Sequence, residues 1–367
     1  MKIMCDKQKL YEVISNVSRA VSPKTTLPAL EGILLRARDN TLYLSGYDLD
    51  MGISASMEAK VAEPGEIVLT AKLFVDMVRR MAGETVSIES DEKYLTVIRS
   101  GFSEFTILGI PAEEFPEFPT LSEVTPVSVP QNVLKSMIDQ TLFAIATNDS
   151  KPVQTGSLFE VGGKELRVIS VDGFRLALRR EPIQSEEEFH FIVPGKTLSE
   201  LTKLLSDEDE MTEIQVGSKH IIFKAGGYSI LSRLLEGDFL DYKAAIPGGT
   251  GTTVTVGVRP FIESIERTSL LISDRLKSPL KVNFTEALIK MSCSTAIGKA
   301  YDELECRGEG PELTMGFNNR YLLDALRASG CDQVKLMING PLSPMKMVPT
   351  QGDSFLFLVL PVRLKAE

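Results

Sequence analysis

The chain has no tryptophan, only two histidines and four cysteines. Each scarcity closes off some chemistry. His190 lies in Phe189-His190-Phe191 and His220 in Lys219-His220-Ile221, both in strand-like runs where a surface or edge imidazole is the ordinary reading. Metal centres and Ser-His or Cys-His nucleophile pairs draw heavily on histidine, so hydrolytic and metal chemistry start at a disadvantage. A mechanism built from carboxylates alone stays open. Cys5, Cys293, Cys306 and Cys331 form no C-x-x-C pair, which argues for reduced thiols in a cytosol rather than a disulfide frame or a zinc site. No apolar run approaches the roughly 18 to 20 residues that span a bilayer. The start, Met1-Lys2-Ile3-Met4-Cys5-Asp6, has neither an apolar h-region nor a small-residue cleavage site. A cytoplasmic chain without membrane contact, metal or cofactor is predicted.

What the chain does have is length and repetition. Its 367 residues exceed one ordinary core, and 43% hydrophobic with 25% charged residues is a globular composition. Amphipathic helices are predicted at "KLYEVISNVSRAVS" from near Lys7, "PQNVLKSMIDQTLFAIA" from Pro130 and "VRPFIESIERTSLLI" from Val258, with apolar residues at three-to-four spacing such as Leu10, Val13, Ile14 and Val17. A second helix follows each: "TAKLFVDMVRRMAG" from Thr70, "PGKTLSELTKLL" from Pro194 and "GFNNRYLLDALRASG" from Gly316. Lys72, Lys196 and Asn319 fall at equivalent places, a period of about 124 residues.

Between the helices the pattern alternates as strands do. "GILLRARDNTLYLSGYDLDMGISASM" returns as "GSLFEVGGKELRVISVDGFRLALRRE", which puts Asp48 on Asp172 and makes hairpin turns of "RDNT" and "VGGK". The third copy, "LKVNFTEALIKMSCSTAIGKAYDELEC", lacks the acid. An acid recurring at one hairpin reads as a turn former rather than a catalyst. Three domains of one α+β fold are predicted, at 1–120, 128–247 and 253–367, each with two helices and antiparallel sheets.

The net charge of −10 argues against nucleic acid, but the distribution is uneven. The first helical segment holds Lys7, Lys9, Arg19 and Lys24 against Glu12, and the second holds Lys72, Arg79 and Arg80 against Asp76. Basic helices on an acidic body suit a polyanion held on one face and repelled elsewhere. No helix-turn-helix, RNP aromatics or zinc finger is present, so binding is expected to backbone without sequence readout.

The order and spacing of "TTLPAL", "SVDGFRLAL", "EGDFLDY", "GFNNRYLLDAL" and "LPVRL" resemble the bacterial sliding clamps, the β subunits of the replicative DNA polymerase, over essentially the whole chain. The resemblance implies a processivity factor with no catalytic residues. Two chains would join head to tail into a ring of six modules, helices lining the hole, duplex DNA threaded through it. Carried over residue by residue, the family's dimer interface would set Met81, Phe105 and Ile107 against Leu270 and Leu271. Beside them Asp302, Glu303 and Glu305 would face basic residues of the partner. Candidate DNA contacts are Lys24, Lys72, Asn148, Lys151 and Lys196.

The family also carries a peptide-binding pocket for the tails of polymerases, the clamp loader, and repair and ligation proteins. Its positions here are Gln154, Val171, Gly173, Phe174, Arg175, Leu176 and Leu240, then Leu276, Asn318, Tyr321, Leu342, Pro344, Val359, Leu360, Pro361, Val362 and Arg363. The chain departs from the family at Leu240 (usually proline), Gln154 (commonly apolar), Val362 (frequently methionine) and the added Lys365-Ala366-Glu367. The enzymatic alternative would pair Asp48 with Asp50, or Asp172 with Asp241, as two carboxylates of split pKa.

Overall fold

A computed structural model of the chain describes all residues except 122–123, 149, 250, 273–277 and 365–367. Backbone contacts divide it into two compact units, Met1–Leu134 with Ser199–Leu234, and Lys135–Leu198 with Leu235–Glu367. The six expected helices form: α1 Lys7–Val17, α2 Ala71–Arg80, α3 Gln131–Asp139, α4 Gly195–Leu201, α5 Val258–Thr268 and α6 Asn319–Ser329. All strand pairings within the sheets are antiparallel, so the fold is α+β. Asp6 caps α1 by accepting the Lys9 N–H at 2.7 Å. Gly330, at φ 64°, ends α6 in the left-handed conformation that glycine takes without strain. The helix expected from Pro130 to Ala146 stops early: the Thr141 hydroxyl donates back to the Met137 carbonyl at 2.8 Å, and only a short turn, Leu142–Ala144, follows.

In the first unit, an eight-stranded sheet runs Thr125–Pro130, Met211–Val216, His220–Ala225, Tyr228–Arg233, Met51–Glu58, Thr41–Tyr47, Gly32–Arg38, Gly65–Thr70. A five-stranded sheet runs Lys60–Glu63, Lys2–Asp6, Thr85–Ser90, Leu95–Ser100, Ser103–Leu108. Leu10 and Ile14 of α1 and Phe74 of α2 are fully buried. The hairpin predicted at "RDNT" turns through Asp39 (φ 50°) and Asn40 (φ 55°), the positive-φ pair that a two-residue turn between twisted strands requires.

In the second unit, a nine-stranded sheet runs Phe189–Pro194, Gly156–Gly162, Glu165–Val171, Arg175–Pro182, Phe355–Val359, Met345–Pro349, Gln333–Ile338, Thr252–Gly257, Arg307–Glu309. A four-stranded sheet runs Gly298–Glu305, Leu288–Thr295, Leu280–Phe284, Leu313–Phe317. Phe261, Phe284, Phe317, Phe355 and Phe357 form the centre of its core. The "VGGK" hairpin turns through Gly163 (φ 62°) and Lys164 (φ 61°).

Both large sheets cross the borders of the sequence repeats. Ile230 pairs with Ile53, and Ala177 with Phe357. Contact therefore groups the chain differently from sequence periodicity, because a strand from one repeat completes the sheet of another.

Candidate peptide-binding site

The strand Glu165–Val171 turns into Arg175–Pro182 at Asp172. Its Oδ1 accepts the N–H groups of Phe174 (2.9 Å) and Arg175 (3.0 Å), while Gly173 sits at φ 89°. The Asp48 carboxylate does the same for Asp50 (3.0 Å) and Met51 (2.7 Å). Asp241 accepts the Lys243 N–H at 3.2 Å. Asp48, Asp172 and Asp241, three of the four carboxylates the enzymatic alternative would use, are thus engaged in local turns.

Around the Asp172 turn the side chains converge. The Arg175 guanidinium, on a residue only 9% exposed, donates from Nε to Asp172 Oδ2 at 2.9 Å and from Nη1 to Asp324 Oδ2 at 2.5 Å. Its carbon lies 4.6 Å from the Tyr321 ring centre and 5.5 Å from that of Phe143. Phe174 is 59% exposed and stacks on Tyr321, centroids 6.0 Å apart at 26°. The Phe174 carbonyl accepts the Leu360 N–H at 2.9 Å, and the Gly316 carbonyl accepts that of Val362 at 2.8 Å. Residues 360–362 are thereby laid between the turn and the strand Leu313–Phe317. In the same hairpin Val171 and Leu176 are buried in one cluster with Leu158, Tyr242 and Leu358, and Val153, Phe239 and Ile246 pack on it.

The arrangement is an apolar floor with an exposed aromatic, a fixed cation and a backbone edge, suited to a short apolar segment of a partner. Gly173, Phe174, Arg175, Tyr321 and Leu360 meet directly, Val171 and Leu176 form the floor, and Val359 pairs with Arg175 in the sheet. Asn318 caps α6, accepting the Arg320 N–H at 3.0 Å. Gln154 is buried in the turn Pro152–Thr155, its carbonyl accepting the Ala146 N–H. Leu240 lines a cleft of about 250 Å³ with Leu158, Glu160, His190, Tyr242 and Lys243, of which Leu158 and Tyr242 belong to the buried cluster of Val171 and Leu176. There the Tyr242 hydroxyl donates to Glu160 at 2.6 Å, and burial together with that carboxylate pushes its pKa up. Leu342 and Pro344 occupy the connection before Met345–Pro349, Pro361 is half-buried, and Val362 and Arg363 are exposed. Leu276 lies outside the described residues. Asp324 and Phe143 were not foreseen. Asp324 could have been found from its place three residues after Tyr321, on the same face of a helix; Phe143 carries no sequence signal.

The residues expected at a dimer contact are divided. Ser103–Leu108 is an outer strand of its sheet, with Phe105 exposed and Ile107 half-buried. Gly298–Glu305 is likewise an outer strand; near it Leu270 is 82% exposed and Leu271 half-buried. Met81 corrects the expectation. It is 2% exposed and continues the buried stripe Phe74, Met77, Val78 of α2, so it offers no surface to another chain. Asp302 is held within its own chain: it accepts from the Ser264 hydroxyl and from Arg267, each at 2.8 Å. Burial alone would raise its pKa, but these bonds outweigh it and hold the carboxyl below its ordinary value. Glu303 and Glu305 are exposed.

The five candidate DNA contacts, Lys24, Lys72, Asn148, Lys151 and Lys196, are all exposed, the first two in the first unit and the others in the second. Among the described residues no group of three His, Cys, Asp or Glu side chains could hold a metal ion, and no helix is long and apolar enough to cross a membrane.

Comparison with known proteins gives concordant matches. Family models match in chain order: DNA polymerase III beta subunit, N-terminal domain, over residues 1–119; its central domain over 128–241; and its C-terminal domain over 243–363. The beta sliding clamp of Bacillus subtilis (strain 168) is 33% identical over 376 residues, covering 99% of this chain and 100% of that protein. The crystal structure of the DNA polymerase sliding clamp from Bacillus subtilis superposes with a TM-score of 0.96 at 33% identity, with 100% of both chains covered. That of the DNA polymerase III subunit beta from Pseudomonas aeruginosa gives 0.94 at 29%, covering 99% of this chain and 100% of that one.

Proposed function

The chain belongs to the family of bacterial DNA polymerase III beta subunits, the β sliding clamps, and from that premise we infer how its residues do the work of a processivity clamp for the replicative polymerase. The end-to-end likeness to proteins of this name carries the reading. The three repeats, 1–120, 128–247 and 253–367, act as three modules per chain, and two chains close head to tail into a six-module ring around duplex DNA. Such a heterologous contact closes only when its rotation is right. The two outer strands, with Phe105 and Ile107 on one and Leu270 and Leu271 beside the other, support it, since an unpaired strand edge is a ready template for another. DNA is held without sequence readout by Lys24, Lys72, Asn148, Lys151 and Lys196.

The groove around Phe174 and Arg175 takes the short apolar tails of the polymerase, the clamp loader, and repair and ligation proteins. Two or three aliphatic or aromatic side chains buried at about 1.5–3 kcal/mol each give roughly 3–9 kcal/mol before the ordering cost is subtracted, which leaves weak binding, micromolar at its tightest. Exchangeable binding of that strength suits a tether shared among partners.

Retention on DNA tests the ring. A protein held by 6–10 phosphate contacts alone loses about 10³–10⁵ in affinity between 50 and 200 mM salt. The loaded clamp stays on nicked circular DNA through a high-salt wash and leaves when the circle is cut. Loss to salt, with no effect of cutting, rejects the ring. For the groove, truncation before Leu360 abolishes binding of a labelled apolar peptide while sedimentation still finds dimers; undiminished binding rejects the assignment.

A further inference from the structure

We propose that Asp324 is a positioning residue of the peptide groove: it fixes Arg175, and through it the Phe174–Tyr321 wall, in the shape that receives a partner's tail. The proposal rests on the groove reading above. The Asp172 carboxylate is divided between two tasks, Oδ1 holding the backbone of the turn and Oδ2 holding Arg175 Nε at 2.9 Å. One acid from the turn's own hairpin can orient the near side of a guanidinium but cannot stop it from swinging about that contact. Asp324 supplies the second point, Nη1 at 2.5 Å, from α6, an element far away in sequence. The planar fork, gripped at both ends, lies against the rings of Tyr321 and Phe143.

Tyr321 precedes Asp324 by three residues on one helical face, so the carboxylate and the ring are delivered together. Tyr321 is also the ring on which the exposed Phe174 rests. Asp324 thus ties the hairpin to the helix at the one place where both contribute to the groove wall. The floor does not depend on it, because Val171, Leu176 and Leu158 pack in a separate buried cluster. Asp324 is itself partly exposed, its side chain 38% accessible, and when it is neutralised the buried Arg175 keeps the Asp172 carboxylate on Nε, so the chain still folds.

The test uses full-length protein and a fluorescein-labelled synthetic peptide bearing two leucines and a phenylalanine. Asp324→Asn weakens binding at least tenfold, Asp324→Glu stays within about threefold of the parent, and both keep the parent's melting temperature within a few degrees and its retention on circular DNA. Because the chain has no tryptophan, Phe174→Trp places a single reporter on the wall. Its emission shifts to the red when Asp324→Asn is added, without peptide, as the ring leaves its shelf. Parental binding by Asp324→Asn, or reporter emission that ignores it, overturns the proposal while the groove stands. Absence of peptide binding by the parent itself overturns the groove reading and the proposal with it.

Discussion

At Asp48 the carboxylate gathers the N–H groups of Asp50 and Met51 across a Leu49 held at φ 78°; at Asp172 it gathers those of Phe174 and Arg175 across Gly173 at φ 89°. The two turns share one plan and part company immediately after it. The first is followed by Gly52, and the ring of Phe118 occupies the space above: a Cβ there would lie 2.7 Å from its Cζ. Phe118 also tilts against Tyr47 at 4.9 Å, so the chain covers this turn with its own side chain. The second is followed by Leu176, which joins the floor, and its exposed ring is Phe174, resting on α6. The turn belongs to the repeated fold. The site is made by the three residues after it and by what a neighbouring repeat's helix brings.

The sharpest way to break the comparison is at Arg175. Arg175→Ala leaves the nearly buried Asp172 and the partly exposed Asp324 without their shared cation. Peptide binding therefore falls by on the order of a hundredfold and stability by about 2 kcal/mol, screening at Asp324 lowering the buried-pair cost, read by fluorescence anisotropy and urea denaturation. Met51→Ala at the equivalent position of the first turn leaves peptide binding at the parent value.

Next come the two acids. Each of Asp48→Ala and Asp172→Ala removes two charge-assisted hydrogen bonds to backbone N–H groups and lowers stability by about 2 kcal/mol, and Asp172→Ala costs more because it also removes a partner of the buried Arg175. Only Asp172→Ala weakens the peptide. Equal loss of peptide binding in both variants breaks the distinction between fold and site.

The smallest effects lie at the residue between. Gly173→Ala meets no atom within 4 Å, so only its left-handed backbone resists, at about 1–2 kcal/mol. Leu49→Gly moves the other way, gaining about 0.5 kcal/mol or less as strain relief is offset by unfolded-state entropy. Paired melting curves of the two variants should shift in opposite directions.

What could be read in advance was local. The three-to-four spacing of Leu10, Val13, Ile14 and Val17 and its counterparts located all six helices, and Asp39-Asn40 and Gly163-Lys164 announced their hairpins, because these patterns act over a few residues. The acid shared by Asp48 and Asp172 exposed the common turn. Long-range matters were less accessible. Nothing near Arg175 says that Phe143 will meet it, and Asp324 is signalled only by its spacing from Tyr321, since both contacts depend on how the sheet folds back. Carry-over from the family places Met81 at a partner contact because it matches positions and not burial; the α2 stripe of Phe74, Met77 and Val78 turns it inward. The sheets that join strands from different repeats are invisible to periodicity, which compares segments with their copies and not with their neighbours.

That joining has a consequence for how the molecule is made. Arg175–Pro182 finds its outer neighbour, Phe355–Val359, nearly half the chain further on. On the ribosome its free flank stays bare, an adhesive rim on a nascent polypeptide, until most of the remaining message has been translated. The interval before that flank is covered is when the chain is most open to wrong pairing, so slower synthesis lengthens its exposure.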